Sequence, residues 1–184
     1  MERVKTIGDA YFAVGGINTR PASIYLSPLL AALKMQEFVR YYNSRLDDIR
    51  WELRAGFTVG PVTSGVIGYQ KIAYDVWGDT VNLANRLESE ADTGCVAVPQ
   101  KVYRQVRNQI GVRRSDIITS PEWGSMKIYQ CEKIPPNLPA RYADLVEKID
   151  PRNLLENVFS EKSLLDKLFQ LPSPPAAEDT DPES

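Results

Sequence analysis

Tyr74-Asp-Val-Trp-Gly-Asp-Thr-Val-Asn82-Leu-Ala-Asn-Arg86 is the stretch on which the reading of this chain turns. It opens with a strand-like run and turns at Gly78. Val81, Leu83, Ala84 and Leu87 then recur as the apolar side of a helix would. At about 100° per residue, Asn82 and Arg86 stand one helical turn apart on a shared face. Asp75 sits on the strand end that leads into this helix. A carboxylate, an amide and a guanidinium are therefore expected near one strand-to-helix junction, the kind of place where open sheets bind small ligands. A capped helix with a solvated polar face would show the same pattern.

A second stretch is Glu2-Arg-Val-Lys5-Thr-Ile-Gly8-Asp9-Ala-Tyr-Phe-Ala-Val14. Two β-prone runs flank Gly8-Asp9, which predicts a tight hairpin over residues 2–15. Lys5 and Asp9 lie on opposite sides of that turn. Taken alone, Asp9 reads as a turn residue and Lys5 as an exposed strand charge.

A third block, Gly60-Pro61-Val-x-x-Gly65-Val-x-Gly68, lies between them. In order and spacing the three blocks resemble the class III adenylyl/guanylyl cyclase catalytic domain, adenylyl type, from residue 1 to about residue 110. The resemblance implies an α+β fold, a ferredoxin-like nucleotidyl cyclase sheet with helices on one face. It also implies head-to-tail pairing of two chains, as a homodimer or with a second cyclase subunit, with ATP between them.

Site roles follow from the resemblance position by position. Lys5 and Asp75 match the base-reading pair: the lysine donates to adenine N1 and the carboxylate accepts from the exocyclic amine. Guanylyl members typically carry Glu and Cys there, so Lys with Asp favours adenine, and a mismatched buried polar edge costs about 1–3 kcal/mol per unsatisfied group. Asn82 matches the residue that orients the ribose. Arg86 matches the one that steadies charge on the α-phosphate during attack by the 3′-hydroxyl, a task suited to a planar, permanently ionised fork. Asp9 matches one of two aspartates that hold a pair of Mg²⁺ or Mn²⁺ ions, for which hard oxygen ligands are suitable.

The pattern also departs from the family. The other metal aspartate belongs to a Phe-x-Asp-Ile-like strand well upstream, whereas four residues precede Lys5 here. The cyclase domain is therefore expected to be N-terminally incomplete, with turnover severely reduced for want of a bridging ligand. A triphosphate lysine in a Lys-Gly-x-Gly-like element is not evident in Ser120-Pro-Glu-Trp-Gly-Ser-Met-Lys127-Ile-Tyr129, and Lys127 is not assigned that role.

Composition narrows the chemistry. The 184 residues suffice for about one domain's core, and net charge is −2, so no global basic field attracts nucleic acid. Trp51, Trp77 and Trp123 lack interleaved basic residues, which argues against a nucleic-acid stacking platform. No run of 18 apolar residues occurs, so no membrane span is expected, and no signal peptide is recognisable. A cytoplasmic setting is expected, or the cytoplasmic portion of a larger, membrane-attached protein. Histidine is absent, which excludes Ser-His and Cys-His catalysis and leaves carboxylates, Lys and Arg. Cys95 and Cys131 are isolated and show no metal-ligand spacing.

Elsewhere, Ser27-Pro28 predicts the start of a helix running to about residue 47, with Ala31, Met35, Phe38, Tyr42 and Leu46 as its core stripe. Strands are expected over 53–60, 63–69, 72–77, 95–98, 113–119 and 126–132, and helices over 79–91 and 100–109, the first of these ending near Thr93-Gly94. The domains are therefore a cyclase catalytic domain at 1–134, a linker at 135–150, an amphipathic helix at 151–171 and a disordered Pro- and acid-rich tail at 172–184. Two functions are expected. One is an adenylate cyclase segment that converts ATP to cyclic AMP and pyrophosphate. The other is a catalytically impaired fragment that binds nucleotide or a partner cyclase subunit.

Overall fold

In the computed structural model, residues 1–17, 23–44, 50–68 and 72–134 are described, with Leu138 and Tyr142. The linker, helix and tail expected beyond residue 134 lie outside the described residues, apart from those two positions. The chain opens with the hairpin β1 (Glu2–Ile7) and β2 (Ala10–Val14), turning at Gly8 with φ 61°. Helix α1 (Leu26–Asn43), the short strand β3 (Ala55–Gly56) and a second hairpin, β4 (Thr63–Ile67) with β5 (Ala73–Trp77), follow. Then come α2 (Asp79–Ser89), β6 (Val96–Pro99), α3 (Gln100–Val106) and the long hairpin β7 (Gly111–Ser120) and β8 (Gly124–Lys133).

The described strands pair in three ladders. The hairpins β1–β2 and β4–β5 each form a two-stranded sheet, and the remaining strands form a four-stranded sheet in the order β3-β6-β8-β7. Strand β3 runs parallel to β6, with α2 in the crossover between them, while β6 and β7 are antiparallel to β8. All of β6 is buried, as expected of a central strand covered on both sides.

Side-chain alternation along β6 sorts the core. Val96 and Val98 pack with Leu26, Leu29, Leu30 and Leu33 of α1 and with Val102 and Val106 of α3. Ala97, of opposite parity, packs with Leu87 of α2 and Ile128. The α+β class expected from the cyclase resemblance holds, with α1 and α3 layered on one face. The expectation of helices on one face is corrected for α2: Leu87 packs with Ala97 and Ile128, of the other parity, so α2 covers the opposite face of the sheet.

Two local expectations are corrected. The core face of α1 is the Leu26–Leu33 face, whereas Met35 is 40% exposed and Phe38 stacks on Tyr42. The first turns of this helix are apolar nearly all round, so periodicity alone selected the wrong stripe; Leu46 lies outside the described residues. Helix α2 ends at Ser89 with Glu90 as its right-handed cap, and Gly94 (φ 79°) turns the chain into β6 instead of capping the helix. No helix among the described residues is long and apolar enough to cross a membrane.

Candidate nucleotide site

Strand β5 and helix α2 are joined at Gly78, whose φ of 127° is accessible to glycine. Thr80 Oγ1 donates to the Pro61 carbonyl at 2.6 Å and pins the first turn of the helix. The other end of α2 is pinned by Gln130. Its Nε2 donates to the Glu90 carbonyl at 2.8 Å, and its Oε1 accepts from Asp92 N–H at 3.1 Å.

The structure brings Lys5 and Asp75 together. Lys5 Nζ donates to Asp75 Oδ2 at 2.6 Å across a separation of 70 residues, tying β1 to β5. Asp75 Oδ1 also accepts from the Val76 N–H at 2.8 Å. The Lys5 hydrogen bond, followed by that of Val76, holds the Asp75 carboxyl below its ordinary range. The pair is directional: an ammonium offers only donors and a carboxylate only acceptors.

Asn82 and Arg86 also come together, on the exposed face of α2. With Asn85 and Ser89 they form one wall of an open cleft of about 500 Å³, whose opposite wall is residues 119–123 of the β7–β8 turn. Arg86 Nη2 forms an i,i+4 ion pair with Glu90, 2.6 Å from Oε1. Glu122 and Trp123 in the cleft were not anticipated; a β-turn gives no periodic signal that it will face a helix three elements earlier. Lys127 lies outside the cleft lining, its ammonium 5.3 Å from the Tyr129 ring centroid.

Asp9 is exposed at the tip of the first hairpin and is not in the cleft lining. Its charge acts on Arg54, whose guanidinium is held protonated mainly by Glu88, with Nε to Oε1 at 2.6 Å. Among the described residues, no three His, Cys, Asp or Glu gather in a group that could hold a metal ion. Asp9 offers a single carboxylate, so the described residues of one chain do not fit the two-ion arrangement that the resemblance implies. Nor does one chain bring Lys5 and Asp75 into the cleft that Arg86 lines.

The structure is thus an α+β domain with a crossover sheet, a paired Lys5 and Asp75 on β1 and β5, and Asn82 and Arg86 on α2. Residues 1–133 match the model of the adenylate and guanylate cyclase catalytic domain, and the chain belongs to that family. It is 37% identical over 111 residues to adenylate cyclase type 9 of Gallus gallus, an alignment covering 56% of this chain and 8% of that protein. It is 35% identical over 133 residues to an adenylate cyclase of Mycobacterium tuberculosis, covering 70% of this chain and 29% of that one. The chain thus spans less than a third of the length of these curated relatives. Among solved structures, it resembles the catalytic core of a rhodopsin-guanylyl cyclase with converted specificity in complex with ATPαS. The TM-score is 0.62 and the identity 29%, with 71% of each chain covered.

Proposed function

We propose that this chain is the catalytic segment of an adenylate cyclase, converting ATP to 3′,5′-cyclic AMP and pyrophosphate at the interface of two cyclase chains in intracellular signalling. The observation that carries the proposal is the 2.6 Å contact between Lys5 and Asp75. A donor and an acceptor at neighbouring positions match the N1 acceptor and exocyclic amine donor of adenine and oppose the pattern of guanine. The adenylate cyclase relatives and the ATPαS-bound structure support the same reading.

In this reading, adenine takes the place of the direct Lys5–Asp75 contact, each side chain turning its polar atoms to the base. Asn82 orients the ribose so that its 3′-hydroxyl faces the α-phosphorus. Arg86 holds α-phosphate oxygens as the new ester bond forms and pyrophosphate leaves, stabilising charge that grows in the transition state. Asp9 is not in the lining of the Arg86 cleft, which favours a composite site in which Lys5, Asp75 and Arg86 of one chain face the Asp9 hairpin of the other. Asp9 would supply one carboxylate toward Mg²⁺ or Mn²⁺, which would relieve charge on the triphosphate.

The lone Asp9 carboxylate favours a second reading for the chain by itself: a catalytically impaired segment that binds nucleotide or a partner cyclase subunit. The test is cyclic nucleotide production from Mn²⁺-ATP and Mn²⁺-GTP by the purified chain, alone and mixed with an active cyclase subunit. Weak turnover alone, with ATP preferred in the mixture, is expected. Robust turnover by the isolated chain would overturn the second reading; preference for GTP would overturn the first.

A further inference from the structure

Arg86 is 44% exposed and would ordinarily sample many rotamers, yet its guanidinium is paired with Glu90, Nη2 to Oε1 at 2.6 Å. Glu90 lies one turn further along α2, at the cap where the helix ends. That end is itself held in place. The Glu90 carbonyl accepts from Gln130, a side chain with 0% exposure, and the other end of the same amide takes the Asp92 N–H. Asp92 is gripped in turn by Arg114, with Nη2 to Oδ1 at 2.7 Å and Nε to Oδ2 at 2.9 Å. A bidentate pair of this kind fixes geometry as well as charge.

We propose that Glu90 is a positioning residue that holds the Arg86 guanidinium at the cleft, with Gln130 as its buried anchor. This rests on the reading of Arg86 as the α-phosphate contact. Only Nη2 of the guanidinium is in contact with Glu90, and the fork has five N–H groups in all, so donors remain for phosphate oxygens. An oxygen acceptor at position 90 is what the role requires; the negative charge is not, and it works against a polyphosphate. The amide of Gln would therefore preserve the orientation while removing the repulsion.

Two readouts on the full chain, with Glu90→Gln and Glu90→Ala, test this. In ¹⁵N-arginine-labelled protein, the Arg86 signal is assigned by its loss in Arg86→Lys. Restricted rotation of the guanidinium is expected in the parent and in Glu90→Gln, with averaged Nη signals in Glu90→Ala. In an active cyclase pairing, Glu90→Gln should turn over ATP with at least the parent's kcat and Glu90→Ala with a kcat about threefold lower, the scale of an i,i+4 ion pair. An unchanged Arg86 signal in Glu90→Ala, or two variants indistinguishable in kcat, would overturn the proposal. If Arg86→Ala keeps the parent's kcat in an active cyclase pairing, the phosphate reading of Arg86 fails, while the arginine signal still decides the tie to Glu90.

Discussion

A Cβ on Gly56 would lie 2.2 Å from the carbonyl oxygen of Ala84, and 2.3 Å from the backbone nitrogen of Glu88. Helix α2 therefore rests directly on the backbone of β3, and Asn82 and Arg86 are positioned by that contact. Since the clash is with backbone, no side chain can swing aside. Gly56→Ala should push α2 off the sheet and lower stability by about 1–3 kcal/mol. Urea unfolding of the variant checks this, and an unchanged midpoint would show that α2 has slack.

Gln130 satisfies a carbonyl and an N–H at the end of α2 from a fully buried position. Gln130→Leu keeps the volume but strands both groups, at a cost of about 1–3 kcal/mol each if both stay buried. Thermal melting should show a clear loss, whereas the same substitution at the exposed Gln105 should show almost none.

The Asp75 carboxyl is held below its ordinary range by Lys5 first and by Val76 N–H second. The sign follows from the depression. The pair's contribution is complete above the ordinary carboxylate pKa and disappears as pH falls through the lowered folded value. Carboxyl ¹³C titration should place Asp75 below the ordinary aspartate range, and Lys5→Met should move it upward. A midpoint in the ordinary range in the parent would remove the contact.

In an active cyclase pairing, Lys5→Glu combined with Asp75→Cys should raise GTP use relative to ATP, because the donor and acceptor pattern inverts. An unchanged base preference would free both residues from that role. Arg86→Ala should lower kcat by roughly 10²-fold, the scale of one lost transition-state donor. A raised KM with normal kcat would instead assign Arg86 to ground-state binding.

Both cysteines are fully buried, and burial pushes the Cys131 thiol up to about 12 and raises that of Cys95 as well. Thiolate is the reactive form, so neither should react with Ellman's reagent in native protein near pH 7.5. Two thiols should appear in denaturant. Rapid native labelling would mean that the sheet around β6 opens readily.

Local chemistry was legible wherever a period or a turn residue announced it. The hairpin at Gly8-Asp9, the strand-turn-helix at Gly78 and the late strands were all readable from spacing, and the strand and helix boundaries differ by a few residues. The α1 stripe was not legible, because a helix apolar on several sides does not declare which side meets the sheet. Gln130 and Glu122 carried no signal: one polar residue in a strand and one acid in a turn look the same whether buried, cleft-lining or solvated.

The residue pattern determined the family, the order of elements and the candidate roles of Lys5, Asp9, Asp75, Asn82 and Arg86. Those features are encoded in short-range spacing, which the backbone's periods of two and 3.6 turn into faces. Only the tertiary structure decided that Lys5 meets Asp75, that α2 lies on Gly56, and that Asp9 stands apart from the Arg86 cleft. Such contacts join segments tens of residues apart, and they are set by which apolar faces find one another and by how closely two backbones can approach, quantities that no local window contains.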